Sequence, residues 1–474
     1  MDNKSYFILA IDCGSTNLKA AIFDRNLNRI SENSIPVEYN INDIGRVEFD
    51  ADKTYDSLIE LFRKSCRDAG IKTGDINVIS IGSQANTFSF VDKNRKPVIP
   101  FISYLDNRAV LEAETLNSLY FIKDFNHGIK SPWSTLSKVL WLKNNNPNVL
   151  EYPNSIVTIP GYFTWKLIGV NAIDPNLAAM EGFYSIDKRD WNVEVINYLQ
   201  MKKDQFPKIF DTGSPIQPVN LSKNIDLNHD LRVILSGNDQ TAAAFGNFLS
   251  NKDILVSLGT SLVVYRNMGE KKGPYSKEGS WGLYPFGGFY ELYASNFGTY
   301  SLDWAMNFLI HKLDIEYFKT CAKESALIKS RYETDMNNKI RNYLFFYPEK
   351  IGNENAWIGN YKSSINDKAF AVLEGLSFYL RQILEQYLKI NIEKYDVLIT
   401  GGGSKNKIWM QILANTLNTK IIKARGDALF GCARMVLDSA QIKNNESEHY
   451  LPDQTLVSKY EILYKEWLKF KNNF

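Results

Sequence analysis

Glycines and hydroxyl residues set between apolar runs, with carboxylates beside them, are the features of this chain whose types and spacing could do chemistry. Asp12-Cys13-Gly14-Ser15-Thr16-Asn17 forms a short polar turn between the apolar runs 6–11 and 18–24. Such a turn presents backbone N–H groups and two hydroxyls in one place, which suits phosphate oxygens. An ordinary hairpin of small residues is the alternative, and the spacing is not that of the glycine-rich lysine loop of Walker-type folds. The same grammar returns about 245 residues later in DILVSLGTSLVVY (253–265), with Gly259 and Thr260 in the turn. Two duplicated domains built this way could close on one nucleotide, one turn from each side. The third feature is VILSGNDQTAAAFG (233–246), an apolar run, a Gly-Asn-Asp-Gln turn and then small residues. It predicts a buried strand over 233–235, a tight turn at Gly237 and a helix over 241–245 able to pack closely. Asp239 then sits at the mouth of a strand-to-helix junction, where a carboxylate can face a cleft; the alternative is an N-cap, a position Asp favours.

The elements that must position these residues follow a strand-rich, alternating order. Residues 6–11, 18–24, 78–81 and 88–91 read as strands, and Asp50 to Arg67 as a helix with Tyr55, Leu58, Ile59, Leu61 and Phe62 on its apolar side. The turn GSQANT (82–87) and the loop around Asp106, Asn107 and Arg108 gather more polar function than turns require. A polyhydroxylated ligand would use it, and a solvated loop is the alternative. Ser131 to Asn144 predicts a helix with Leu136, Val139, Leu140 and Leu142 as its apolar set, and Ser250 to Asp253 a linker. Ala369 to Leu388 predicts a long amphipathic helix, and Val397 to Thr400 a strand running into GGGSKNK and the helix IWMQILANTL. From Gln441 on, charge with spaced Tyr460, Tyr464, Trp467 and Phe470 predicts a surface helix.

At 474 residues the chain is expected to form an α/β protein of two domains, 1–247 and 248–474. A formal net charge of +2 argues against a nucleic-acid footprint or an anionic membrane partner. Cys13, Cys66, Cys321 and Cys432 are scattered, and His127, His229, His311 and His449 form no ligand pattern, so neither a disulfide framework nor a zinc site is expected. No apolar run approaches the ~20 residues that span a bilayer. The N-terminal run is too short for a signal segment, so a cytoplasmic location is expected. Neither glycine turn has the dinucleotide-binding pattern, which disfavours a dehydrogenase.

With these pieces in order, the sequence resembles the FGGY family of carbohydrate kinases, in the actin-like ATPase superfamily. The resemblance runs from about Phe7 to about Leu437 and rests on AIDCGSTNLKA (10–20), SPWSTLSKVLWLKNNNP (131–147), SGNDQTAAAFG (236–246), SLGTS (257–261) and ITGGGSKNKIWMQILA (399–414). It implies two RNase-H-like domains with the active site between them and a hinge near Asn247 to Asp253. It also implies that Asp239 is the catalytic base and that Asp12 organises Mg2+. Ser15, Thr16, Asn17 and Lys19 would serve the first phosphate loop, and Gly259 and Thr260 the second. Gly402 and Asn406 match positions that contact adenosine, and Gly298 lies beside another nucleotide-contacting position. On the sugar side the resemblance implies Gln84, Asn86, Asp106, Arg108, Trp133 and Gln240, with core packing as the alternative for Trp133.

Departures narrow the substrate. Glycerol kinases carry Arg-Glu where this chain has Gln84-Ala85-Asn86, which disfavours glycerol. Xylulokinases carry Gln-Met-His there, which favours a ketopentose such as xylulose. The family's Gly-Glu-Arg motif is echoed in 345–357 only by Glu349 and Lys350. The expected activity is ATP-dependent phosphorylation of a sugar or polyol hydroxyl, with ATP and Mg2+ as cofactors and a homodimer as the default assembly. A non-transferring actin-like ATPase (a chaperone, filament protein or sugar sensor) and a kinase for another ketose or polyol are the alternatives.

Overall fold

The computed structural model describes residues 6–42, 45–119, 131–309, 343–352, 356–359, 365–437 and 447–472. Its first sheet grows from the N-terminal apolar run. Strand β1 (Phe7–Cys13) pairs antiparallel with β2 (Asn17–Phe23), and β2 with β3 (Arg29–Pro36). On its other side β1 runs parallel to β4 (Ile76–Ser83); β5 (Pro215–Ile216) and β6 (Arg232–Asn238) complete the order β5-β6-β4-β1-β2-β3. Both faces of β1 are covered, which is why its sequence is almost continuously apolar. Leu9, Ile11 and Cys13 face the helix Ala51–Asp68, while Ile8 and Ala10 face Ala242, Leu429 and Cys432.

The second sheet repeats this plan. Strands β7 (Asp253–Leu258) and β8 (Leu262–Gly269) pair antiparallel, followed by β9 (Ser280–Leu283) and β10 (Phe289–Ser295). Beside β7, in parallel, lies β11 (Asp396–Thr400), then β12 (Ile421–Lys423) and β13 (His449–Tyr450), in the order β9-β10-β8-β7-β11-β12-β13. Each sheet therefore has a leading strand with antiparallel strands on one side and, on the other, two parallel strands closed by a short antiparallel edge strand. A smaller five-stranded sheet, built from Asn40–Ile41, Val47–Phe49, Phe88–Val91, Phe101–Ile102 and Ser155–Thr158, carries the two polar loops at 82–87 and 103–109.

The small residues after Asp239 have a specific partner. The helix Asp239–Gly246 lies backbone to backbone against the helix Ala428–Val436: a Cβ on Gly431 would sit 1.8 Å from the Ala242 carbonyl oxygen, and one on Gly246 would sit 2.8 Å from the Gly431 nitrogen. Although it follows the strands of the second sheet in sequence, Ala428–Val436 thus packs on the first. Asp427 caps it and pairs with Arg29 of β3.

The long helix expected from Ala369 is Ile365–Gln382, continued by a π-helical turn, Ile383–Tyr387. One expectation is corrected. The C-terminal helix, Gln454–Asn472, is not a surface helix: Leu456, Tyr460, Leu463, Tyr464 and Trp467 are buried in the second core. Residues 460, 464 and 467 follow helical spacing and so form one apolar stripe, with the charges on the other side. The Trp467 ring stacks on Tyr347 at 5.1 Å and its Nε1 donates to the Phe346 carbonyl at 2.9 Å. His127, His311, Cys321 and residues 441–446 lie outside the described residues. Among the described residues, no helix is long and apolar enough to cross a membrane.

Candidate active site

Three parallel strands end at one edge of the first sheet. The register pairs Asp12 with Gly82, Cys13 with Ser83, and Ser83 with Asn238. Asp12, Gln84 and Asp239 therefore emerge side by side at the carboxyl ends of β1, β4 and β6, where α/β sheets commonly bind ligands. Asp12 is 7% exposed; its Oδ1 has no hydrogen-bond partner, and its Oδ2 lies 4.0 Å from Lys19 Nζ. Burial, then the charge of Asp239, push the Asp12 carboxyl up to about 7, with Lys19 opposing.

The junction at Asp239 separates capping from function. Asn238, not Asp239, is the N-cap: its side-chain oxygen accepts from Gln240 N at 3.0 Å, and Asp239 is the first residue of the helix. Asp239 Oδ1 accepts the same N–H at 2.8 Å. Burial raises the Asp239 carboxyl, and hydrogen bonds from Gln240 and Asn238 and the Lys19 charge oppose the rise.

Around this pair the first turn is pinned from behind, with the Tyr39 hydroxyl donating to the Ser15 carbonyl at 2.8 Å and Val37 N to the Thr16 carbonyl at 3.0 Å. Thr16 is exposed, and Ser15, Asn17 and Lys19 are half-buried. In the second sheet, Gly259 and Thr260 close the β7–β8 turn, with Thr260 exposed. Gly298 is buried beneath that turn; a Cβ there would sit 2.4 Å from the Gly259 carbonyl oxygen, and Thr299 N donates to that same oxygen at 2.7 Å. Gly401, at φ 86°, passes so close to β7 that a Cβ would sit 2.6 Å from the Leu258 carbonyl oxygen. Gly402 beside it is exposed and faces open space. Asn406 caps the next helix by accepting from Trp409 N at 3.1 Å.

Among the residues expected to face a sugar, Gln84 is 5% exposed and neither of its amide atoms has a hydrogen-bond partner. Buried amides left this way are rare and mark a place where a ligand polar group fits. Gln240 is half-buried at the start of the helix, next to Asp239. Trp133 is not in the core: its ring is 46% exposed and its Nε1 donates to Asn107 Oδ1 at 2.8 Å. Asp106 and Arg108 behave otherwise. Asp106 is fully buried, accepting from Val47 N at 2.7 Å and from Arg108 Nε at 2.8 Å, and Arg108 also pairs with Glu48. Burial would raise the Asp106 carboxyl, but the bonds from Arg108 and Val47 hold it below the usual range. The two residues therefore lock the loop together and present no free polar atom of Asp106 to a ligand.

Three residues that the sequence reading did not single out belong here. Burial raises the half-buried Tyr104 hydroxyl, a hydrogen bond with Ser15 opposes the rise and the charge of Asp239 adds to it, which places Tyr104 near Asp239. Lys138 and Glu181 are buried and clamp Asn86, which sits at φ 57°, in the left-handed region. Lys138 Nζ donates to the Asn86 carbonyl at 3.0 Å and the Ser103 carbonyl at 2.7 Å, while Glu181 accepts from Asn86 N at 2.9 Å and from the Thr135 hydroxyl. The Asn86 side-chain oxygen in turn accepts from Thr135 N at 3.0 Å. Burial pushes Lys138 down to about 7 and Glu181 up to about 7. Lys138 had a sequence signal, a lysine inside the apolar stripe from Leu136 to Leu142; Glu181 had none.

Residues 7–246 match the model of the FGGY family of carbohydrate kinases, N-terminal domain, and residues 254–435 that of its C-terminal domain. A xylulose kinase of Lactococcus lactis is 24% identical, covering 98% of this chain and 97% of its own length. A probable L-xylulose kinase of Haemophilus influenzae is also 24% identical, covering 98% of both chains. The solved xylulose kinase of Lactobacillus acidophilus shares the fold with a TM-score of 0.84 at 19% identity, over 99% of this chain and 98% of its own. Both halves match in order, across the strands that carry Asp12, Asp239 and the two glycine turns: this chain belongs to the FGGY family of carbohydrate kinases, within the actin-like ATPase superfamily.

Proposed function

We propose that this kinase transfers the γ-phosphoryl group of ATP to a hydroxyl of a ketopentose such as xylulose, with Asp239 as the general base. The observation that carries the reading is the place of Asp239, which follows the N-cap Asn238 as first residue of the helix and lies close enough to Asp12 for the two carboxylates to repel each other. As the new O–P bond forms, Asp239 takes the sugar hydroxyl's proton, the bond to the bridging oxygen breaks and ADP leaves. Base assistance of this kind is worth ~10² to 10⁴ in rate, and holding the reactants in line can supply ~7 to 11 kcal/mol more. Gln84, Asn86, Trp133 and Gln240 surround the sugar in this reading. Ser15, Thr16, Asn17 and Lys19 meet the phosphates from one side, Gly259 and Thr260 from the other. The open face at Gly402, with Asn406 beyond it, takes adenosine.

Asp12 suits Mg2+. Its Oδ1 is buried without a partner and the charge of Asp239 opposes its own, a balance that a divalent cation would restore. One carboxylate with waters and phosphate oxygens is a common way to hold this ion, which when bound neutralises charge on the phosphates. The matching strand plans of the two sheets support two RNase-H-like domains, with a boundary at 247–248 near Phe248, whose φ is 56°.

The test is a coupled assay of ADP release over ketopentoses, ketohexoses, pentitols and tetritols. Turnover confined to ketopentoses is the expected result; basal hydrolysis unmoved by any sugar would sink the kinase reading. Asp239→Asn should lower kcat by about 10² to 10⁴ with nucleotide affinity retained, and near-normal turnover would remove Asp239 from the base role.

A further inference from the structure

Asn176 lies in the short helix Pro175–Met180, about 60 positions from Asp239, and is fully buried. Its Oδ1 accepts from the backbone N of Asn238 at 2.8 Å, at the peptide just before the base. Its Nδ2 donates to Thr241 Oγ1 at 3.1 Å and to the Leu283 carbonyl at 2.6 Å. Thr241, in the first turn of the base-bearing helix, shares a 2.9 Å hydrogen bond with the Tyr265 hydroxyl of β8. One amide thus joins the Asp239 junction to β9 of the second sheet, and its neighbour joins the same helix to β8. Gly237 makes the approach possible: at φ +74° it has no side chain where a Cβ would sit 2.6 Å from Asn176 Oδ1.

A carboxamide is planar, so its three bonds cannot be adjusted one at a time. If the Leu283 carbonyl withdraws, one N–H loses its partner, and any rotation to recover it moves the oxygen off Asn238. The hairpin holding Leu283 is seated by a second contact: Phe286, 66% exposed, lays its ring on Gly213 and on Phe245, with ring centroids 5.4 Å apart for the aromatic pair. We propose that Asn176 is a positioning residue that couples the seating of the second sheet's β9 hairpin to the placement of Asp239, so that the base is aligned only when the two halves are closed together.

The proposal rests on the kinase reading, and its test separates the two. Asn176→Asp keeps the shape and the acceptor but removes both donors. Phe286→Ser unseats the hairpin from a surface position, so its folding is not at issue. Sugar affinity is measured by calorimetry with and without a non-hydrolysable ATP analogue, alongside steady-state kinetics. In the wild-type protein the analogue should tighten sugar binding about fivefold or more, and both variants should bring that factor within about twofold of one. Asn176→Asp should also lower kcat about tenfold and raise sugar KM at saturating ATP about fivefold, the tightening it has lost, while sugar affinity without nucleotide stays within about twofold, a pattern that simple loosening of the fold would not give. A wild-type factor of one, or the full factor retained in either variant, overturns the proposal. If the wild-type protein turns over no sugar, the kinase reading fails, and amide exchange over residues 237–246 decides for Asn176. ADP-induced slowing in the wild type that both variants lose supports the coupling, and equal slowing in all three overturns it.

Discussion

Asp12 and Asp239 repel each other at the ends of two parallel strands, and Lys19 opposes that repulsion. The consequence can be read from stability. Asp12 carries a folded-state value of about 7 against an ordinary 3.8, so between those limits the folded protein binds more protons than the unfolded one. Unfolding free energy therefore falls as pH rises from about 4 to about 7 and levels off above that. Asp12→Asn removes the effect: without ligands it should be the more stable form at pH 8, by up to about 4 kcal/mol, and lose its advantage by about pH 4. Denaturant unfolding at the two pH values checks this, and an equal or smaller stability for the variant at pH 8 would contradict the placement of Asp12 in an under-compensated site. Residue identity alone left Asp239 divided between a cap and a cleft carboxylate; Asn238, one position earlier, takes the cap.

At the scale of elements, the polar loops are shaped from below. Asn86 holds its left-handed conformation because Lys138, from the helix Thr135–Asn145, and Glu181, just after the helix Pro175–Met180, grip the two ends of its backbone. Lys138→Met would leave the Asn86 carbonyl unpaired, reduce the Ser103 carbonyl to its bond from Asp106 N at 3.1 Å, and deprive Glu181 of its cation, a loss of about 1 to 3 kcal/mol per unsatisfied group. The expected outcome is lower stability by that order and a sugar KM raised about tenfold, with nucleotide KM unmoved; equal rises in both constants would count against a loop-shaping role. The position of Lys138 inside an apolar stripe was visible beforehand, but which carbonyls it would meet was not, because both belong to loops brought together from other elements. Asp106 and Arg108 teach the converse. Their types suited a polar ligand, yet two residues apart they satisfy each other, and Glu48, about 60 positions away, completes the pairing.

Over the whole molecule, the proposed reading draws the sugar contacts from the first half of the chain, while Thr260 meets the nucleotide from the second sheet, so its substitution should separate the two substrates. Thr260→Val should raise nucleotide KM about fivefold to tenfold, the worth of one hydrogen bond, with sugar KM little changed. Steady-state kinetics with each substrate varied in turn check this, and an unchanged nucleotide KM would argue against the second turn as a phosphate site. The C-terminal helix shows where composition misleads at this scale. Its charges suggested a surface, while Tyr460, Tyr464 and Trp467 along one side complete the core of the second sheet.

The amino-acid sequence by itself determined the leading strands, the duplicated glycine turns and the small-residue helix after Asp239, because these depend on local periodicity and on residues a few positions apart. It also determined the family, through five short stretches in a fixed order. Only the tertiary structure decided that Asn238 takes the cap position ahead of Asp239, that Asp106 is closed off by Arg108, that Lys138 and Glu181 hold Asn86, and that Asn176 reaches both halves. Those outcomes depend on burial and on partners far apart along the chain. A polar side chain becomes a ligand contact or a structural tie according to which groups remain without partners once the strands have met. At the three strand ends of the first sheet, those unpartnered groups are Asp12 Oδ1 and the Gln84 amide, close beside Asp239.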